Sequence, residues 1–314
     1  AYRESLTIKK YFKKCKKIYW RTSWLQKYCK QISENLENKI EHFKPDFFVP
    51  GAAKSGTTTL HDLLSTHHDI SMSKDKEPVY WNNKLFRQFK LFEVSRYANL
   101  FEKNRKIKGE STTSYMYYDS FISNIKANFE YSPKFIFVLR NPVDRYISHV
   151  NWLKGLGLEK KDVNQVINDD DWANFSEYDD YPKQYYQFGL YNKWITRFIK
   201  NFGKKNIKII TFEQLISDRL KTLNSCYEFL GVEKVDNLKF IRSNKSKKIV
   251  FPFIYHFLRK SSLGKTKCTK IVKYILPKKI REKIKSLMKY SLQNWIAVES
   301  KNNKITFENR KILS

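Results

Sequence analysis

The sequence predicts an α/β fold: a central parallel sheet flanked by helices in three layers, with helical extensions at the N- and C-terminal ends. Three observations carry this. From Asp46 onward, short apolar β-runs alternate with segments of helical period; a loop of small residues joins the first β-run to its helix; and a second strand–helix junction follows at Arg140. Strands that alternate with helices imply right-handed crossovers and parallel pairing. Ligands of such sheets bind at the carboxyl ends of the strands.

In chain order, apolar residues recur at helical spacing from about Ile8 to Phe43, opposite a lysine-rich face between Lys9 and Lys17. Such a stripe packs on a domain or rests on anionic membrane; packing is the commoner use. Asp46 to Val49 reads as the first strand, with a helix from about Thr57 to Ser65. Ile70 to Ser73 and Ile107 to Gly109 are shorter strand candidates. Phe135 to Leu139 is the strongest, with a helix beginning near Val143, and Ile207 to Ile210 is followed by a helical pattern from Phe212 to Leu230. An acid-rich stretch between Glu159 and Asp180 reads as a solvated loop, or as a lid over an acceptor. The expected organisation is therefore 1–44 as a basic amphipathic extension, 45–250 as the α/β domain, and 251–314 as a basic, mainly helical extension packed on the same domain. Between Lys239 and Lys285, 16 Lys or Arg face one acid, Glu282.

The chain has 314 residues with 61 Lys and Arg against 31 Asp and Glu, a formal charge of +30. A field of that sign favours anionic partners without choosing among them. Its 23 Phe and 20 Tyr support a packed core and exclude a disordered chain. Cys15, Cys29, Cys226 and Cys268 form no CxxC pair, so they suit neither zinc nor a dense disulfide framework; no metal is expected. The simpler compartment is reducing and cytoplasmic, with membrane association through the N-terminal helix. A lumenal Golgi setting applies if the chain is a fragment of a type II membrane protein. No apolar run approaches the length of a membrane span.

Pro50-Gly51-Ala52-Ala53-Lys54-Ser55-Gly56-Thr57-Thr58-Thr59-Leu60 joins the first strand to its helix. Small residues let the backbone curl round an anion, and the first helical amides point at it unpaired. Gly51 and Gly56 keep the GxxxxG spacing of a P-loop, but Thr57 stands where nucleotide hydrolases need Lys. The lysine lies inside the loop instead, at Lys54, where it reaches a 5′-phosphate oxygen rather than straddling two phosphates with a metal. A tight turn without ligand is the bland alternative. At the second junction, Arg140 ends a strand and is followed by Pro142 at a helix start and by Ser148. A guanidinium there can grip phosphate through two parallel hydrogen bonds; alone, it would read as a salt-bridge residue.

These segments resemble the sulfotransferase superfamily, in particular its bacterial carbohydrate and heparan-type members, whose phosphosulfate loop reads KxGTT before a helix. The resemblance runs from about Asp46 to Gly231 and implies a P-loop-like fold. It implies that the chain moves a sulfuryl group from 3′-phosphoadenosine-5′-phosphosulfate (PAPS), leaving 3′,5′-ADP (PAP), to a carbohydrate hydroxyl, less readily an amine. The acceptor would be a polysaccharide or glycolipid. By the same resemblance Lys54 contacts the phosphosulfate and stabilises the leaving oxygen; Ser55, Gly56, Thr57, Thr58 and Thr59 complete the 5′-phosphate loop; Arg140 and Ser148 bind the 3′-phosphate. Glu77, within Lys74-Asp75-Lys76-Glu77-Pro78-Val79-Tyr80-Trp81, stands where the family's catalytic base precedes aromatic residues. A solvated glutamate is the alternative. His61, His67 and His68 are outside candidates for the base, and Arg145 and His149 read as helix-surface residues.

Lys108-Gly109-Glu110-Ser111-Thr112-Thr113-Ser114-Tyr115 resembles the family's acceptor-side GE-[KAS]-[ST]-P-x-Y segment. Here Thr113 replaces the usual Pro, and Ser111 stands where some heparan-type members carry a catalytic Lys. Gln187 to Tyr191 and Ile207 to Leu215 resemble later family segments, and Arg242, Lys245 and Lys247 lie where relatives close a basic loop over the 3′-phosphate. Two rivals remain at this stage. A P-loop kinase-like phosphotransferase would need Lys at Thr57 and a magnesium-binding Asp. A polyanion- or nucleic-acid-binding protein would follow from charge alone, yet no recognisable nucleic-acid motif is present.

Overall fold

The computed structural model of the chain describes residues 42–83, 91–167, 182–238, 247–249, 297–299, 305–307 and 310–311. The chain divides into two compact units, Ala1–Lys44 with Leu85–Leu100, and Pro45–Lys84 with Phe101–Ser314. In the first unit the helix Leu91–Ala98 carries Tyr97, whose ring meets Phe43 edge-on at 6.2 Å. The predicted helix between Ile8 and Phe43 lies almost wholly outside the described residues.

The second unit is built on five strands: β1 (Phe47–Gly51), β2 (Ile70–Met72), β3 (Ile107–Ser111), β4 (Lys134–Leu139) and β5 (Ile207–Thr211). They pair in the order β2-β3-β1-β4-β5, and every pairing is parallel. The P-loop-like three-layer fold read from the sequence is the fold of the protein. From β1 the chain runs outward to β2 and back to β3, then crosses to β4 and β5 on the other side. The carboxyl ends of β1 and β4 therefore diverge at the topological switch point, where ligands of such sheets bind.

Alternation along the strands divides the core into two chemistries. Phe47, Val49, Ile136, Val138 and Ile210 face one side, packed with Leu60, Leu63 and Leu64 of helix α1 (Thr57–Leu64) and with Leu215, Leu223 and Leu230. The last three belong to α5 (Phe212–Ser217) and α6 (Arg219–Leu230). Phe48, Phe135 and Phe137 face the other side. There Phe48 stacks on Phe135 at 6.0 Å, and Phe135 meets Phe198 at 5.2 Å and Phe202 at 4.7 Å. The helices covering that face are α2 (Asp119–Asn128) and α4 (Tyr191–Phe202). The abundance of Phe and Tyr thus has a use: it fills one whole inter-layer space.

The single helix expected from Phe212 to Leu230 is two. Asp218 leaves helical geometry and accepts the Lys221 amide at 3.2 Å, capping α6. The helix after β4, α3 (Pro142–Gly155), begins with Asn141 accepting from the Val143 and Asp144 amides. Cys226 is a free, buried thiol pushed up to about 11 by burial. Two further strands, Lys247–Ile249 and Ala297–Glu299, pair antiparallel. Near the C-terminus, Ile305 packs against Val150, Leu153 and Val163, the Thr306 amide donates to Asn164 at 3.0 Å, and Arg310 pairs with Asp144 at 3.1 Å. Among the described residues, no helix is long and apolar enough to cross a membrane.

Gly109 lies opposite Phe47 in the β1–β3 register, and a Cβ on it would enter the Phe47 ring. Gly109→Ala should therefore cost about 1–3 kcal/mol by overpacking. Thermal denaturation should show this as a lowered midpoint.

Candidate active site

The site begins where β1 ends. The Ala52 amide donates to the Val138 carbonyl at 2.8 Å, and the Ala53 amide to the Tyr117 hydroxyl at 3.3 Å, so the loop is pinned from both sides. Gly51 is required by Met116, whose Sδ would lie 2.6 Å from any Cβ there. Lys54 and Gly56 both take positive φ, 67° and 93°. Glycine bears that conformation freely; a lysine in it is held by its surroundings, as residues at ligand sites often are. The first bond within α1 runs from the Leu60 amide to the Gly56 carbonyl at 3.1 Å. The amides of Thr57, Thr58 and Thr59 precede it and have no intrahelical acceptor. Thr57 is buried, while Thr58 and Thr59 are half-buried. This is an anion cradle of the kind that helix starts provide.

Lys54 is a half-buried cation. Its ammonium sits over the Trp152 ring, 5.0 Å from the centroid. Loss of hydration lowers its pKa from 10.5 to about 8; Glu77 opposes that shift, and Lys76 and Arg140 add to it. A lysine stripped of water and short of counter-charge gains strongly from an arriving anion.

Arg140 closes the other half. Its carbonyl accepts from the Tyr191 hydroxyl at 2.9 Å, its Nη1 lies 3.5 Å from the Lys54 carbonyl, and its guanidinium sits over the Phe212 ring at 4.9 Å. The following amide, Asn141, donates to Glu213 at 3.0 Å. Ser148 on α3 is half-buried and shares a helix face with Trp152, four residues on. Tyr191, Phe212, Glu213 and Trp152 were not singled out from sequence. Of these, Tyr191, Phe212 and Glu213 fell within motif segments that could have drawn attention, and Trp152 did not.

Glu77 reaches the same edge from the loop after β2. Its amide donates to the Ser111 carbonyl at 2.9 Å, which ties the loop to the end of β3. Its Oε1 accepts from the Lys76 ammonium at 2.6 Å and from the Thr113 hydroxyl at 3.2 Å. Glu77 and Val79 have φ of 59° and 55°, so the loop, like Lys54, is held in a left-handed turn. Thr113 thus supplies a donor at the position where related segments carry Pro. Below it, the buried Glu110 accepts from the Thr112 hydroxyl at 2.6 Å, and the Tyr115 hydroxyl receives the Trp81 amide at 3.0 Å. These bonds lock the Glu77–Trp81 loop onto β3.

The histidines separate cleanly. His67 accepts from the Asp69 amide at Nδ1 (3.1 Å), leaving Nε2 to donate to the Glu233 carbonyl at 3.0 Å, a structural use of both nitrogens. His68 is exposed, 3.6 Å from Asp69. His61 is buried, with Nδ1 3.0 Å from the Ser111 hydroxyl; burial and then Lys76 lower its pKa to about 4, so it is neutral at physiological pH.

The expectation that Arg145 and His149 are surface residues is wrong: they are 0% and 1% exposed. Arg145 donates to the Tyr185 carbonyl and meets His149 Nδ1 at 3.4 Å. Burial first, then Arg145 and Lys54, hold His149 well below the usual imidazole range. The reason is a third packing layer. Val163, Val166 and Tyr185 cover the outward face of α3, so the start of the acidic stretch is packed rather than solvated. Arg242 and Lys245 lie outside the described residues; Lys247 lies in the strand Lys247–Ile249. Among the described residues, no group of His, Cys, Asp and Glu could hold a metal ion.

A parallel sheet with an anion loop after its central strand defines a P-loop-like protein. The sulfotransferase domain model matches residues 44–308, and the chain belongs to that family. The chain is 23% identical over 254 residues to carbohydrate sulfotransferase 15 of Rattus norvegicus, covering 61% of this chain and 45% of that protein. It is 25% identical over 236 residues to heparan sulfate glucosamine 3-O-sulfotransferase 3B1 of Homo sapiens, covering 71% and 55%. The chain thus spans about half the length of these curated relatives. A sulfotransferase from Alicyclobacillus acidocaldarius shares the fold with a TM-score of 0.54 at 23% identity, over 73% of this chain and 96% of that one.

Because the folded pKa of Lys54 lies below its unfolded value, the unfolded chain binds more protons between about 8 and 10.5. Lys54 should therefore contribute stability that grows with pH across that window, and comparison with Lys54→Met should show that contribution gone. Carbon-13 NMR of the Lys54 ε-carbon should give a midpoint near 8, moving upward when pyrophosphate fills the loop. A midpoint in the ordinary lysine range would contradict the desolvated cation.

Proposed function

We propose that the protein transfers the sulfuryl group of PAPS to a hydroxyl of a carbohydrate acceptor, with an amine acceptor as the less favoured variant. The observation that carries this reading is that the Lys54 loop after β1 and the Glu77 loop, whose amide donates to the Ser111 carbonyl at the end of β3, lie at one edge of the sheet. A desolvated cation in the anion loop and a carboxylate from the neighbouring strand edge feel each other's charge. Family membership supports the sulfuryl donor, and the carbohydrate and heparan sulfate sulfotransferases among the relatives support the acceptor class.

The residues fit the donor. The free amides at Thr57 to Thr59, together with Ser55 and Gly56, suit its 5′-phosphate; Arg140, with Ser148 on the adjoining helix, suits its 3′-phosphate. In the reaction, the acceptor oxygen attacks sulfur in line and the bond from sulfur to the 5′-phosphate oxygen breaks. The acceptor proton passes to Glu77. Lys76 and Thr113 both donate to Oε1 of that carboxylate, so Oε2 is the oxygen that takes the proton. Lys54 stabilises the charge growing on the leaving phosphate oxygen, where a preorganised, poorly hydrated cation is most effective. The net positive charge of the chain favours an acidic glycan as acceptor.

PAP should raise the thermal midpoint, and ATP with magnesium should not; stabilisation by ATP alone would overturn the reading. Glu77→Gln should lower transfer from labelled PAPS by at least about a hundredfold, the usual scale of a lost general base, with PAP affinity retained. The acceptor is to be found by screening glycans with labelled PAPS and mass spectrometry, and unchanged turnover of the variant on that acceptor would remove Glu77 from the mechanism.

A further inference from the structure

Phe212 is the first residue of α5, and its backbone is fixed before any ligand arrives. Thr211 accepts the Gln214 amide at 3.1 Å, and the Gln214 side chain accepts the Thr211 amide at 3.0 Å, a closed capping box around Phe212. Its half-buried ring packs on the aliphatic core. The ring then makes two contacts that belong to different halves of the site. On one side it lies against Gly56, so closely that a Cβ there would be 2.5 Å from Cδ2. On the other it carries the Arg140 guanidinium, 4.9 Å from its centroid. The residue that caps α1 and the residue that follows β4 are thus referenced to one ring.

We propose that Phe212 is a positioning residue of the donor site, setting Arg140 at a fixed height and distance from the phosphate loop so that both phosphate ends of one nucleotide are gripped together. The inference rests on the donor reading given above. An unsupported arginine loses much side-chain entropy when clamped on a phosphate; one already laid on an aromatic face loses less and keeps its fork free for the anion. Leu139 and Thr211 are paired across β4 and β5, and Glu213 accepts the Asn141 amide, so the strand ends bearing Arg140 and Phe212 hold a common register.

The test is the preference for PAP over 5′-AMP, measured as a ratio of dissociation constants by calorimetry. Relative to wild type, Phe212→Leu should lower this preference by about tenfold, the scale of one partly desolvated cation–aromatic contact, with 5′-AMP binding little changed. Phe212→Tyr should restore it. If the Leu variant does not fold, Phe212→Met, which also removes the ring, gives the same comparison. A wild-type preference in a ring-less variant overturns the proposal, as does loss of the preference in Phe212→Tyr, which would assign the effect to packing. Arg140→Met separates the two levels. If that variant keeps the preference, or wild type shows none, the donor reading falls and this inference with it. If Arg140→Met loses the preference and Phe212→Leu keeps it, only the role of Phe212 falls.

Discussion

The Ala52 amide donates to the Val138 carbonyl at 2.8 Å, and through that bond the end of β1 stays beside β4 while the chain after it turns away. Much else follows from this constraint. It places the Lys54 loop and Arg140 on neighbouring strand ends, about one strand spacing apart at their bases. It leaves the first amides of α1 directed at the gap between them. It also forces glycine at position 51, because the loop must pass Met116 with no Cβ between. Sheet register and helix start thus fix the position of the loop and of Arg140 together.

Around that centre the packing is asymmetric in a way that suits its task. Mostly aliphatic side chains fill the face under α1, α5 and α6, whereas rings dominate the face under α2 and α4. The aromatic face continues to the site's edge: Tyr117 stacks on Phe188 at 3.7 Å and also receives the Ala53 amide. Rings with a hydroxyl at one end serve both sides of such a boundary, because the body packs and the tip hydrogen-bonds the loop.

Much of this was legible in the sequence, and the parts that were not share a cause. Strands were legible because buried parallel strands are nearly continuous apolar runs, and the anion loop because its small residues have a backbone reason. Helices α2 and α4 went unassigned although α4 buries Trp194, Ile195, Phe198 and Phe202 on one face. The burial of Arg145 and His149 was invisible because it depends on Tyr185 and Val163, residues distant in the chain that cover α3 only after folding. Phe212 and Trp152 were missed for the same reason. An aromatic residue beside a cation is a fact of three dimensions, and nothing in the local sequence marks either ring as lying over Arg140 or Lys54.

The electrostatics of the site favour an arriving anion over the empty state. Lys54, Lys76 and Arg140 repel one another, and Lys54 has given up part of its hydration as well, which its lowered pKa records. Glu77 offsets some of this, but Lys76 already bonds the same carboxylate at 2.6 Å. A dianionic phosphate entering the loop would relieve the repulsion between Lys54 and Arg140 and keep Lys54 charged to higher pH. The left-handed turns at Lys54 and Glu77 help hold the two groups at the same edge.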